Sequence, residues 1–236
     1  LDSLKQYNKE NLVKYPGMSD ELDPGFPEFY KAAFNINGKR KFPAIDTLRT
    51  WFDNQEDKFS EVYFAVLSRF QTPEKPKQHF LEHREKYASL YGEEAVEGVV
   101  FNFVNTDFYK TTKKKPDLTF EELKANLHIY ILDDAKRADL EKNLTLIFYS
   151  RTEEWQKLAD FITSDIASFT NSTLNDQAWS IYEECVAKKV IKQAYTWMKP
   201  VIEEEPIHMY IDTYAALAFK LGYLEEAEKE ALRAIK

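Results

Sequence analysis

The tail of the chain, from Asn175 to Lys236, repeats itself at about 33 residues, the period of a stacked helical hairpin. Displaced by one such period, Ala194 falls on Ala227, Met198 on Ala231, Val201 on Ala234, Ile202 on Ile235 and Tyr182 on Ala215. A hairpin in such an array hides only part of its apolar surface and needs a neighbour to cover the rest. What recurs is packing chemistry, so the pattern favours binding or scaffolding over catalysis. The last hairpin can be read position by position. Ile211, Tyr214, Ala215, Ala218 and Leu221 share one helical face. Gly222 follows, where a left-handed cap wants a residue without Cβ. Leu224, Ala227, Ala231, Ala234 and Ile235 form the next stripe, and small alanines let two helix axes approach closely.

Helical periodicity continues upstream with little interruption. After a weakly helical start and a loop, PGMSDELDPG, a short helix is expected over Phe26–Phe34, ended by Asn37-Gly38. Pro43 suits a first helical turn. Stripes then run through Ile45, Leu48, Trp51 and Phe52, and through Phe59, Val62, Tyr63, Val66, Leu67 and Phe70. The stretch KQHFLEHREKYASLYG reads as one helix up to Gly92. Val96 to Phe108 is a long apolar face, and Thr119 with Glu122 is a capping-box signature. No segment alternates convincingly as a strand. The expected fold is all-α, antiparallel helical hairpins stacked as an α-solenoid, with roughly twelve helices. A division into residues 1–110 and 111–236 is expected, with the repeated hairpins at 175–236.

Composition removes several classes. Of 236 residues, 44% are apolar, enough for a core, and 31% are charged with both signs interspersed, which argues against disorder. The net charge of −8 supplies no basic footprint for nucleic acid. The basic run Lys113-Lys114-Lys115 lies in a loop-like stretch before Pro116. No apolar run approaches the ~18 residues of a membrane-spanning helix, so no membrane insertion is expected. A single cysteine, Cys185, at a helical apolar position, excludes an intrachain disulfide and reads as a small core hydrophobe. No signal peptide is evident, and a start at Leu1 rather than Met predicts removal of an upstream segment.

The tail resembles the tetratricopeptide repeat. KLGYLEEA looks like that family's inter-helix turn, Pro206 matches the proline after a second helix, and NDQAWSIYE and YIDTYAALA look like consecutive first helices. Lys189 stands where the family's turn glycine would be. HREKYASLYGEEAV, YSRTEEWQKLADF and the repeat block together resemble the helical region that follows a thioredoxin domain in some bacterial thioredoxin-like envelope proteins. The resemblance implies a periplasmic location and an accessory helical region. Those proteins carry a CxxC upstream; this chain has none, so any thiol-disulfide chemistry would lie outside it.

Two constellations stand out. Trp179, Glu183, Asp212 and Lys220 fall by register on first helices, which line the concave face of such arrays, and together they could take a peptide segment. The structural alternative has Trp179 wedged between hairpins and Asp212 capping a helix start. Separately, His79-Phe80-Leu81-Glu82-His83 matches the inverted zinc-peptidase string H-x-x-E-H. Both imidazoles could reach one Zn²⁺ and Glu82 could act as general base, with Glu141, Glu153 or Glu154 as a third ligand. FDNQEDKF has Lys58 where a calcium loop needs glycine and reads as a polar turn. The expectation is a non-catalytic scaffold or protein/peptide-binding module without cofactor. The alternatives are a zinc-dependent hydrolase or a purely structural spacer.

Overall fold

The computed structural model describes residues 25–33, 39–114 and 116–235. The expectations for residues 1–24, for the helix end at 34–38 and for Lys115 lie outside them. Thirteen α-helices, and no strand, are found among the described residues. The chain divides into two compact units, residues 1–134 and 135–236, a helix later than the division expected at 110/111.

The first unit contains α1 (Glu28–Ala33), α2 (Ile45–Asp53), α3 (Glu61–Arg69), α4 (Glu74–Glu82), α5 (Arg84–Tyr91), α6 (Glu93–Thr111) and α7 (Phe120–Tyr130). Pro43 stands just before α2 rather than inside it, with Ala44 as the N-cap. Helix α7 belongs here because Leu123 and Leu127 are buried in a unit whose longest apolar face is α6. Its start is the expected capping box: Glu122 N–H donates to Thr119 Oγ1 at 3.2 Å, and Thr119 N–H to Glu122 Oε2 at 2.8 Å. These bonds hold the Glu122 carboxyl below its ordinary range. Aromatic rings fill the core. Phe64 stacks on Tyr91 at 4.2 Å, while the hydroxyls of Tyr87 and Tyr91 donate to the carbonyls of Lys58 and Phe59. The polar turn at FDNQEDKF is as expected, with Asp57 accepting from Phe59 N–H.

One expected helix is two. Residues 74–91 break at His83, whose φ of −117° and ψ of 23° end α4 and begin α5. His83 Nδ1 lies 2.9 Å from the His79 carbonyl, which also accepts from the His83 backbone N–H at 3.2 Å. The break redirects α5 so that Tyr87 is fully buried against Phe59 and Phe80.

The second unit contains α8 (Asp134–Arg151, whose first residue precedes the division), α9 (Trp155–Ser164), α10 (Asn171–Glu184), α11 (Lys188–Glu204), α12 (His208–Leu221) and α13 (Leu224–Ala234), with a 3₁₀ turn at Ile166–Ser168. One apolar cluster joins all six, from Leu146 through Leu158, Ile181, Ala194, Met198 and Leu217 to Ala227. Ala194 and Ala218 are wholly buried, as close helix approach requires, and Cys185 is buried and free. Pro206 follows the end of α11.

Six side-chain bonds between helices of this unit span similar separations, beside shorter-range ones such as Tyr214 to Tyr195. Gln193 donates to Asp160, Trp197 to Thr163, Thr213 to Asn175, Lys220 to the Cys185 carbonyl, Lys192 to Tyr223 and Tyr195 to Glu226, spanning 31 to 38 residues. They tie α9 to α11, α10 to α12 and α11 to α13.

Three turns in this unit are closed in two different ways. After α12, Gly222 takes φ +88°, and Tyr223 N–H reaches back to the Ala218 carbonyl at 2.9 Å. After α8, Glu153 takes the same left-handed place at φ 57°, with Glu154 N–H bonded to the Tyr149 carbonyl. After α10 no residue is left-handed: Cys185 is extended, and Lys220 from α12 donates to the Tyr182 and Cys185 carbonyls. The missing glycine near Lys189 is thus replaced by a lysine cap from the next hairpin, while Lys189 itself lies in the first turn of α11.

Candidate functional site

Two arrangements deserve chemical scrutiny, one in each unit. In the C-terminal unit, α12 is buried on every side but one. Its uncovered strip runs through Met209, Asp212, Ala216 and Phe219, with Met209 53% and Phe219 64% exposed. These spacings place all four on one helical face. On α10 and the turn after it, Asp176, Glu183 and Val186 are exposed and Trp179 is half-buried. The two strips therefore carry three carboxylates and five apolar side chains. Among the described residues, Glu183 and Asp212 have no side-chain hydrogen bond or ion pair.

The four residues singled out from sequence fare differently. Trp179 is half-buried with its ring 5.1 Å from Tyr182 of its own helix. Glu183 is exposed. Asp212 lies mid-helix on α12 and caps nothing; the N-cap of α12 is Ile207. Lys220 is committed to the two carbonyls at the end of α10, with its ammonium 5.3 Å from the Tyr182 ring, so it is a cap rather than a free cation. Beneath the strips, Glu226 accepts from Tyr195 at 2.8 Å and Tyr214 at 2.6 Å. These bonds hold its carboxyl below the ordinary range.

In the N-terminal unit, a cavity of about 990 Å³ has a buried polar floor. Lys77 Nζ reaches Asp107 Oδ2 at 3.1 Å, Tyr130 Oη at 3.3 Å and Glu74 Oε2 at 2.9 Å. Asp107 also accepts from Tyr130 Oη and Lys110 Nζ, each at 2.5 Å. Lys77 is 8% and Asp107 5% exposed, so each charge needs the other. Burial opposes both charges. The bond to Glu74 and the fields of Tyr130 and Asp107 nevertheless hold Lys77 above its ordinary value, and Lys110, Tyr130 and Lys77 hold Asp107 below its own. Burial and the bond to Asp107 push the Tyr130 hydroxyl up to about 12. Every donor and acceptor of this triad is engaged, so it fixes α4, α6 and α7 in place and leaves no free base or nucleophile.

Sequence reasoning missed this triad, although it left a signal. Asp107 sits three residues after Val104 and four after Phe103, on the apolar stripe of α6, and Lys77 three before the buried Phe80. Opposite charges on two apolar stripes have to be paired when the helices pack.

The H-x-x-E-H string divides at the α4–α5 break. The His79 and His83 rings lie 4.3 Å apart, both against Phe59, and Glu82 accepts from Gln78 at 2.9 Å. His79 Nε2 is buried with no hydrogen-bond partner among the described residues; burial, then the charges of His83, Lys58 and Lys86, lower its pKa. Among the described residues no group of three His, Cys, Asp or Glu side chains could hold a metal ion. Of the third ligands suggested by sequence, Glu154 pairs with Lys157, Glu153 occupies the left-handed turn and Glu141 lies on α8. No described helix is long and apolar enough to cross a membrane.

Comparison with known proteins adds no further constraint: no family model, no curated protein and no solved structure matches this chain.

Proposed function

We propose that the protein is a non-catalytic helical-repeat scaffold whose C-terminal unit stacks as an α-solenoid of tetratricopeptide-like hairpins and binds a protein or peptide segment. The observation that carries the reading is the set of inter-helix bonds 31 to 38 residues apart that join α9 to α11, α10 to α12 and α11 to α13. Bonds at that spacing hold hairpin upon hairpin, as a one-dimensional stack requires. The binding surface is the paired strip on α10 and α12. Its unpaired acids, Glu183 and Asp212, and its apolar Trp179, Met209 and Phe219 suit a segment that alternates basic and apolar side chains. The resemblance to the helical region of bacterial thioredoxin-like envelope proteins makes an accessory role in such a protein, in the periplasm, part of the same proposal. The zinc-hydrolase reading has no observation in its favour beyond the string itself.

Selection of random displayed peptides on the immobilised full chain tests this. Enriched sequences are expected to combine Lys or Arg with aromatic or aliphatic residues. The double variant Glu183→Lys/Asp212→Lys is expected to lose them while melting normally, since exposed changes cost about 0.5 kcal/mol or less. Enrichment of acidic sequences, or equal binding by the variant, would remove this surface from consideration and leave the spacer reading.

A further inference from the structure

We infer that the cavity of the N-terminal unit binds a small amphiphilic monocarboxylate, with Arg84 as its anion contact. The inference is independent of the peptide-binding strip. The floor of the cavity is self-satisfied, as Lys77, Lys110, Asp107 and Glu74 neutralise one another. Arg84, on the same lining, is not neutralised in this way, and nor is the exposed Lys86, whose ammonium lies over the Phe59 ring. The Arg84 guanidinium donates to the carbonyls of Tyr130 at 2.9 Å, Ile129 at 2.7 Å and Leu81 at 3.4 Å. No carboxylate comes within ion-pair distance of it among the described residues. Half-buried charges are ordinarily paired, and here the only compensation is the negative end of the α7 dipole, a fraction of a unit charge. A guanidinium has five N–H donors, so two remain uncommitted. One uncommitted N–H remains on each terminal nitrogen, and a charged N–H donor makes a strong hydrogen bond to a carboxylate oxygen.

The rest of the lining gives the ligand its body. Leu81, Leu118, Leu123, Ile129 and Leu132 contribute apolar surface, and Ile129 and Leu132 are 43% and 69% exposed at its rim. A volume of about 990 Å³ stands at the upper end of the range for small-molecule sites. Glu85 and Asp117, on the same lining, disfavour a multiply charged anion such as a phosphate and select a single negative charge. The occupant that fits all of these is a carboxylate head on an alkyl or similar apolar tail.

Decanoate titrated into the full chain, read by calorimetry and by ¹H–¹⁵N NMR, is expected to bind saturably, with shifts concentrated on residues 81–84 and 129–132. Decanol, with the same tail and no charge, is expected to bind roughly tenfold more weakly. Leu132→Asp places a negative charge on the exposed rim, spares the α7 cap, and should weaken decanoate by a similar factor. Arg84→Gln should abolish the preference for decanoate over decanol. The inference is overturned if decanoate leaves the spectrum unchanged below its micellar concentration, if decanol binds as well, if the shifts fall outside the cavity, or if Leu132→Asp binds decanoate as the wild type does.

Discussion

Individual residues carry this fold at a few points where polar groups are buried, and there the consequences of substitution are sharpest. Asp107 and Lys77 are each less than a tenth exposed. Asp107→Asn leaves Lys77 charged with its buried counter-ion gone, at a cost of about 3–5 kcal/mol, measurable by urea denaturation. The wild type should also be acid-sensitive through this carboxylate. Because the fold holds Asp107 below its ordinary value of 3.8, its stabilisation is complete above that value and drains away as pH falls towards the folded-state value. The Asn variant should lose part of that acid limb. In the C-terminal unit the informative comparison is Lys220 with Glu183. Lys220→Ala uncaps two carbonyls and should cost about 1–3 kcal/mol, whereas Glu183→Ala should leave the melting temperature nearly unchanged. Equal melting temperatures would mean that Lys220 does not cap α10.

At the scale of the element, what the sequence reveals is local and what it hides is long-range. The Thr119–Glu122 box and the Gly222 turn were legible because donor, acceptor and the left-handed residue lie within a few positions of one another. The break at His83 was not. The apolar stripe runs through it unbroken, and the helix turns there because Tyr87 is buried against Phe59 and its hydroxyl bonds the Lys58 carbonyl 29 residues away. The Lys77–Asp107–Tyr130 triad spans 30 and 53 residues, and no short motif announces it. Lys220 was legible as a residue of the repeat but not as a cap, since the carbonyls it serves belong to the previous hairpin. Turn chemistry gives an element-scale prediction. Gly222→Ala meets no steric contact, so its cost of about 1 kcal/mol is the left-handed backbone alone. Glu153→Gly, in the same backbone region, should stabilise by up to about 1 kcal/mol. Paired thermal melts of the two variants should shift in opposite directions.

For the whole molecule, the helical composition read from periodicity and scarce glycine matches the thirteen helices of the described residues. Stacking of hairpins and the use of their uncovered strip belong to the proposal, and both rest on the same register. Two bonds join α10 to α12, Thr213 to Asn175 and Lys220 to the Cys185 carbonyl. The proposed repeat register would set Trp179 and Glu183 in line with Asp212 and Ala216, with acids and apolar side chains along one strip. The measurement that tests this most directly is a ¹H–¹⁵N NMR titration of the full chain with a selected basic-apolar peptide. The account predicts shifts concentrated at Asp176, Trp179, Glu183, Met209, Asp212 and Phe219, and lost in Glu183→Lys/Asp212→Lys. A footprint elsewhere on the chain, or one that survives the charge reversal, would contradict it.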